Sequence, residues 1–109
     1  MRKAAIYRNG VLAGVLTEQD DRKRYGFRYD DAYYADGAQP PVSLTLPKTR
    51  QEYQCGHLFP FFANMLSEGA NRSAQSRNLR IDERDDFGFL LATAQTDTIG
   101  AVTAKPIED

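Results

Sequence analysis

The chain has 109 residues, 41% of them hydrophobic, a size that suits one domain over residues 1–109 with one modest core. Its 14 basic and 15 acidic residues leave a net charge of −1, which excludes the broad basic field that direct contact with nucleic acid or an anionic membrane requires. A single cysteine, Cys55, closes no internal disulfide, no run approaches the ~18 apolar residues of a membrane span, and the opening MRKAAIYRNG lacks a signal-peptide core; the expected compartment is the cytoplasm. In chain order, Lys3–Arg8 and Val11–Thr17 flank Asn9-Gly10, the pair that a type I′ hairpin turn favours because both positions need φ > 0. The second run places Leu12, Gly14 and Leu16 on one parity and Val11, Ala13 and Val15 on the other. Apolar on both faces, it belongs inside the sheet. Glu18–Arg24 is a charged connection in which Arg22-Lys23-Arg24 is neutralised by Asp20-Asp21.

Tyr25, Phe27 and Tyr29 alternate with Gly26 and Arg28, which predicts a third strand with an aromatic face. Asp30–Gln39 reads as a loop or a short turn of helix. Val42–Leu46, with Val42, Leu44 and Leu46 on one side, reads as a strand. The prolines at 40, 41 and 47 confine it to a sheet edge or a short segment. From Lys48 the pattern turns helical. Asn71 or Ser73 caps a second helix up to about Leu79, and Asp82 or Asp85 caps a third in which Phe87, Leu90, Leu91 and Ala94 recur at helical spacing. After a turn at Gln95–Thr98, Ile99–Lys105 forms a closing strand able to pair with the N-terminal sheet. Strands, then helices, then a last strand predict an α+β fold with a mainly antiparallel sheet.

The first of those helices, Phe59–Glu68, organises the rest. Leu58, Phe59, Phe62 and Leu66 form its core stripe, Pro60 suits its first turn and Gly69 its stop. Phe61 and Met65, at i and i+4, widen the apolar arc to roughly 160° against about 100° for an ordinary surface helix. Two accounts of that width stand: the sheet wraps the helix and both side chains are core, or they face a partner.

Little in the chain points to catalysis. Cys55 and His57 supply two metal ligands where a site needs three or four, and a spacing of two orients no nucleophile–base pair. Asp82, Glu83, Asp85 and Asp86 fit the start of a helix, where the dipole favours acids. No GxGxxG or Walker-type loop is present, Gly10, Gly14 and Gly26 fitting turns in hairpins and strands, and Tyr25-Phe27-Tyr29 lacks the interleaved basic residues of a base-stacking platform. The expectation is a protein without metal, cofactor or catalytic set.

Six motifs, in order, resemble the N-terminal subdomain of HipA-type serine/threonine kinases, the toxins of bacterial toxin–antitoxin pairs. They are Ile6–Leu16 (IYRNGVLAGVL), Phe27-Arg28-Tyr29-Asp30, Val42-Ser43-Leu44-Thr45-Leu46-Pro47, Phe61–Gly69 (FFANMLSEG) with Arg72, Asp86–Leu91 (DFGFLL), and Asp97–Val102 (DTIGAV). The sequence departs from that family at Ser67, where a proline is usual, and at Gln95-Thr96-Asp97, where Gly-Gly-Asp is usual. Asp109 stands where the kinase core would begin, so the resemblance carries no kinase activity. It is to the HipS-type chains of three-gene HipBST systems, in which this subdomain is separate and acts as antitoxin. It implies a HipT-like kinase as partner, with Phe61, Met65, Ser67 and Glu68 as the expected partner-binding residues. Two other roles remain open, a structural subunit that supports a split kinase and a bridge to a HipB-like DNA-binding protein.

Overall fold

The computed structural model describes residues 2–19, 23–63, 77–78, 80–82, 85–93 and 102–107. Strands β1 (Arg2–Arg8) and β2 (Val11–Glu18) form the predicted hairpin. Asn9 and Gly10 both have positive φ, 50° and 80°, as a type I′ turn demands. The register shifts between Ile6 and Tyr7: Ile6 faces Gly14, Tyr7 faces Leu12, and Ala13 is the extra residue of a bulge. The bulge breaks the simple parity expected for β2. Ala13 is fully buried while Leu12 turns outward, and the carbonyl of Ala13 accepts from the amide of Asp30 at 2.8 Å.

With β3 (Tyr25–Tyr29), β4 (Glu52–Cys55) and β5 (Val102–Ile107), the described strands make one antiparallel sheet of order β4-β3-β2-β1-β5. Strand β2 lies inside it, as its two apolar faces predict. The closing strand returns to β1 as expected, with Val102–Ile107 as its described part. The edge beside β3 is a correction. Residues 52–55, expected to be helical, form β4, and Val42–Leu46, expected to be a strand, is a turn. Ser43 is the physical reason. Its hydroxyl accepts from the Thr45 amide at 3.2 Å and its carbonyl from the Leu46 amide at 3.1 Å, so local bonds displace an extended backbone. Val42 and Leu46 are buried and Leu44 points away from them.

The core lies on one face of the sheet. Ala4, Ile6, Leu16, Phe27, Tyr29 and Ala104 are buried there, beneath Tyr33 of α1 (Asp31–Ala35), Phe62 of α2 (Pro60–Ala63), and Phe87 and Leu90 of α3 (Asp86–Thr93). Phe27 and Phe62 meet at 5.7 Å between ring centroids. Asp85 starts α3, its carboxylate accepting from the amide of Gly88 at 3.1 Å, which selects one of the two expected caps. Leu66, most of the predicted second helix and the Gln95–Thr98 turn lie outside the described residues.

Two glycines set the geometry of β2 for different reasons. A Cβ on Gly10 meets nothing within 4 Å, so only its left-handed backbone requires glycine. Gly14 sits inside the strand, as its place in the Val11–Thr17 run implies, where a Cβ would overlap the Arg28 carbonyl and stand 2.8 Å from Cζ of Phe27. Gly10→Val should therefore cost about 1–3 kcal/mol through backbone strain, and Gly14→Ala about 1–3 kcal/mol by forcing β2 from β3. Urea unfolding checks both; an unchanged midpoint for either variant would mean that this register is wrong.

Candidate partner-binding site

Because β3 runs antiparallel to β2, its C-terminal end reaches the same end of the sheet as the Asn9-Gly10 turn. The chain there continues into α1. Asp30 caps it, accepting from the amides of Ala32 at 3.2 Å and Tyr33 at 3.4 Å. Residues 36–48 then return with Pro40, Pro41 and Pro47 among them, a backbone poor in donors whose carbonyls need partners from elsewhere. Side chains provide them. The Tyr33 hydroxyl donates to the Pro40 carbonyl at 2.6 Å, and the Lys48 ammonium donates to the carbonyls of Asp36 at 2.6 Å and Gln39 at 2.9 Å while standing 5.1 Å from the Tyr33 ring centroid. The Tyr53 hydroxyl donates to the Pro47 carbonyl.

Tyr29 does most to fix the turn. Its buried hydroxyl accepts from the Val42 amide at 3.1 Å and donates to the Leu46 carbonyl, so one oxygen holds both ends of Val42–Leu46. Burial pushes this phenol above its ordinary pKa, partly offset by the Val42 amide. With Val42 and Leu46 tied inward, Leu44 is 96% exposed. The sequence pattern missed this, because equal parity put Leu44 beside its buried neighbours.

Of the expected partner-binding residues, Phe61 is half-buried, its ring edge-on to Phe62 at 5.2 Å. Met65, Ser67 and Glu68 lie outside the described residues, so both accounts of the wide helical arc remain open for them. Cys55 Sγ lies 3.7 Å from the nitrogens of His57, and among the described residues no three His, Cys, Asp or Glu side chains gather as metal ligands. The aromatic alternation of β3 supplies core, with Phe27 and Tyr29 edge-on at 4.9 Å.

The acidic cluster gives a helix cap and an ion pair. Asp85 takes two hydrogen bonds from Arg2, at 3.0 and 2.7 Å, and Arg2 Nε donates to Glu18 at 2.8 Å. The opposite sheet face holds an open depression of about 380 Å³ lined by Lys3, Thr17, Gly26, Arg28, Glu52 and Gln54. Its Arg28 is already paired with Glu52 and Asp31. Among the described residues, no helix is long and apolar enough to cross a membrane.

Fold and site together define a small α+β domain in which Leu44, the most exposed large apolar side chain among the described residues, sits on a pinned turn. The profile described as HipA N-terminal domain matches residues 4–105, and the chain belongs to that family. A solved structure described as the N-terminal domain of HipA toxin superposes with a TM-score of 0.75 at 26% identity, over 100% of this chain and 95% of that one. An uncharacterized protein of Haemophilus influenzae is 31% identical over 94% of this chain and 90% of its own length. A Sinorhizobium fredii protein named "Putative kinase" is 29% identical over 97% of this chain, which spans only 25% of that protein. The matched region is the N-terminal domain, and no catalytic kinase domain is part of it.

Tyr29 should make the fold sensitive to alkali. Its folded-state pKa lies above the unfolded value near 10, so its contribution is complete below about pH 10 and is lost as pH rises through the folded-state value. Tyr29→Phe should lose about 1–3 kcal/mol at neutral pH, through the unpaired Val42 amide and Leu46 carbonyl. It should also lessen the decline in stability between about pH 9 and pH 11. Urea unfolding across that range tests both; an undiminished decline would remove Tyr29 from this role.

Proposed function

We propose that this chain is a non-catalytic antitoxin that binds a HipT-like kinase of the HipA family and inhibits it through protein–protein contact. The observation that carries the reading is the confinement of the match to the HipA N-terminal domain, over residues 4–105, while a kinase-named relative extends for three-quarters of its length beyond the part this chain spans. The Haemophilus relative adds support, since almost its whole length is this one domain. A domain that is joined to a kinase in one protein and makes up nearly all of another is suited to act on that kinase from a separate chain.

The kinase contact in this proposal includes the flank of α2, with Phe61 and Met65 as apolar anchors and Ser67 and Glu68 on the polar rim. A HipB-like DNA-binding protein joins through the kinase, in keeping with a net charge of −1 that favours no direct grip on nucleic acid. The compartment is the cytoplasm.

Growth decides the sign of the effect. The HipA-family kinase encoded beside this chain, induced alone, should arrest growth, and co-expression of this chain should restore it. Unchanged or deeper arrest on co-expression would contradict inhibition, and deeper arrest would instead favour a subunit that supports kinase activity.

A further inference from the structure

In an antiparallel sheet with one face packed on a core, the other face meets water and its residues are expected to be polar. The two strands of the hairpin break that rule. Ala5, Tyr7, Leu12 and Val15 share the face opposite the core, with Ala5 opposite Val15 and Tyr7 opposite Leu12 on the β1–β2 ladder. The bulge at Ala13 brings Leu12 to this side; without it Leu12 would stand opposite Arg8. Among the described residues α1, α2 and α3 all pack on the other face, and Leu12 stays 36% exposed.

The rim of this apolar patch is cationic. Lys105 stands opposite Ala5 and Lys3 opposite Ile107, so the two lysines are diagonal neighbours on β1 and β5 with side chains on the open face. Lys105 Nζ lies 5.2 Å from the centroid of the Tyr7 ring. Among the described residues neither lysine makes an ion pair. Glu52, the carboxylate of the adjoining depression, is already held by Arg28. A chain of net charge −1 thus carries two uncompensated ammonium groups beside bare apolar side chains.

That pairing of charge and apolarity narrows the occupant. A second copy laid face to face would set lysines against lysines. Nucleic acid would satisfy the lysines but leave Leu12 and Val15 without contacts, and base stacking uses several rings where this patch has Tyr7 alone, already faced by Lys105. Carboxylates beside apolar side chains complement both features at once. We propose that the open face of the sheet docks an acidic amphipathic segment of another protein, its apolar side on Tyr7, Leu12 and Val15 and its carboxylates at Lys3 and Lys105. The proposal does not depend on the antitoxin reading.

The test titrates the isotope-labelled full chain, by amide resonance shifts, with a synthetic amphipathic helical peptide bearing leucine on one face and glutamate on the other. A peptide with lysine in place of glutamate and a single-stranded oligonucleotide serve as rivals. The glutamate peptide should bind at least about 10-fold more tightly than the lysine peptide, with shifts centred on β1, β2 and β5. Leu12→Ser should weaken it, and Lys3→Glu combined with Lys105→Glu should reverse the preference between the peptides. If that double variant has a lowered melting temperature, Lys3→Gln with Lys105→Gln should abolish the preference instead. Equal binding of the two peptides, no binding of the glutamate peptide, or shifts centred on α1, α2 or α3 would overturn the proposal. Tighter binding of the oligonucleotide would make nucleic acid the occupant, and self-association that Leu12→Ser abolishes would make it a second copy, both against the proposal.

Discussion

The hydroxyl of Tyr29 is the constraint on which the hairpin end of this domain depends. The ring packs edge-on against Phe27 and stacks on Tyr33 at 6.0 Å with only 5° between their planes. Its backbone is tied to Gln51, the amide donating to the Gln51 carbonyl at 2.9 Å and the carbonyl accepting from the Gln51 side chain at 3.1 Å. One residue thereby joins β3, α1, the Val42–Leu46 turn and the approach to β4. A buried phenol without partners would destabilise the core, whereas one that both donates and accepts fixes the segments that supply its partners. That is how a proline-rich stretch without ladder bonds holds a single shape.

The other end of the sheet is closed by ions. Arg2 bridges Glu18, only 3% exposed, and Asp85, the residue that starts α3, while its guanidinium lies 5.3 Å from the centroid of Phe87. The Tyr25 hydroxyl donates to the second oxygen of Glu18 at 2.9 Å, so the buried carboxylate is satisfied on both sides. The hydrogen bonds that Arg2 donates to Asp85 are the main cause that raises its pKa above the ordinary value. Such a network adds little net stability over a hydrophobic replacement, but it admits only one seating of α3 on β1 and β2. Helix and sheet are set by Arg2, and turn and sheet by Tyr29.

Much of this was legible in the sequence, for identifiable reasons. Asn9-Gly10 carries its own turn geometry, Tyr25–Tyr29 alternates cleanly, and Phe87 and Leu90 are buried at the helical spacing expected, although Phe89 between them, outside the expected stripe, is buried as well. What failed was parity where something local intervened. The bulge at Ala13 inverts the faces near the start of β2, and Ser43 folds Val42–Leu46 into a turn although its apolar alternation matches a strand. Strand β4 escaped because Glu52-Tyr53-Gln54-Cys55 has a weak apolar face and owes its place to pairing with β3, including Phe27 opposite Tyr53. The Arg2–Glu18–Asp85 bridge joins residues up to 83 positions apart, and no spacing rule reaches that far. The motif order was informative where the individual residues were not, and it led to the family. Phe61 was visible as a helical flank, whereas the exposure of Leu44 depends on the Tyr29 hydroxyl and had no signature in the sequence.

In the proposed role the chain acts on a HipA-family kinase by contact alone, and contacts that are already ordered lose little freedom on binding. The most direct measurement is the initial rate of phosphate transfer from labelled ATP by the purified kinase encoded beside this chain, titrated with the chain. The account predicts a rate that falls toward zero as the two approach equal concentration, with no incorporation by the chain alone. A rate that stays constant or rises with added chain would contradict it.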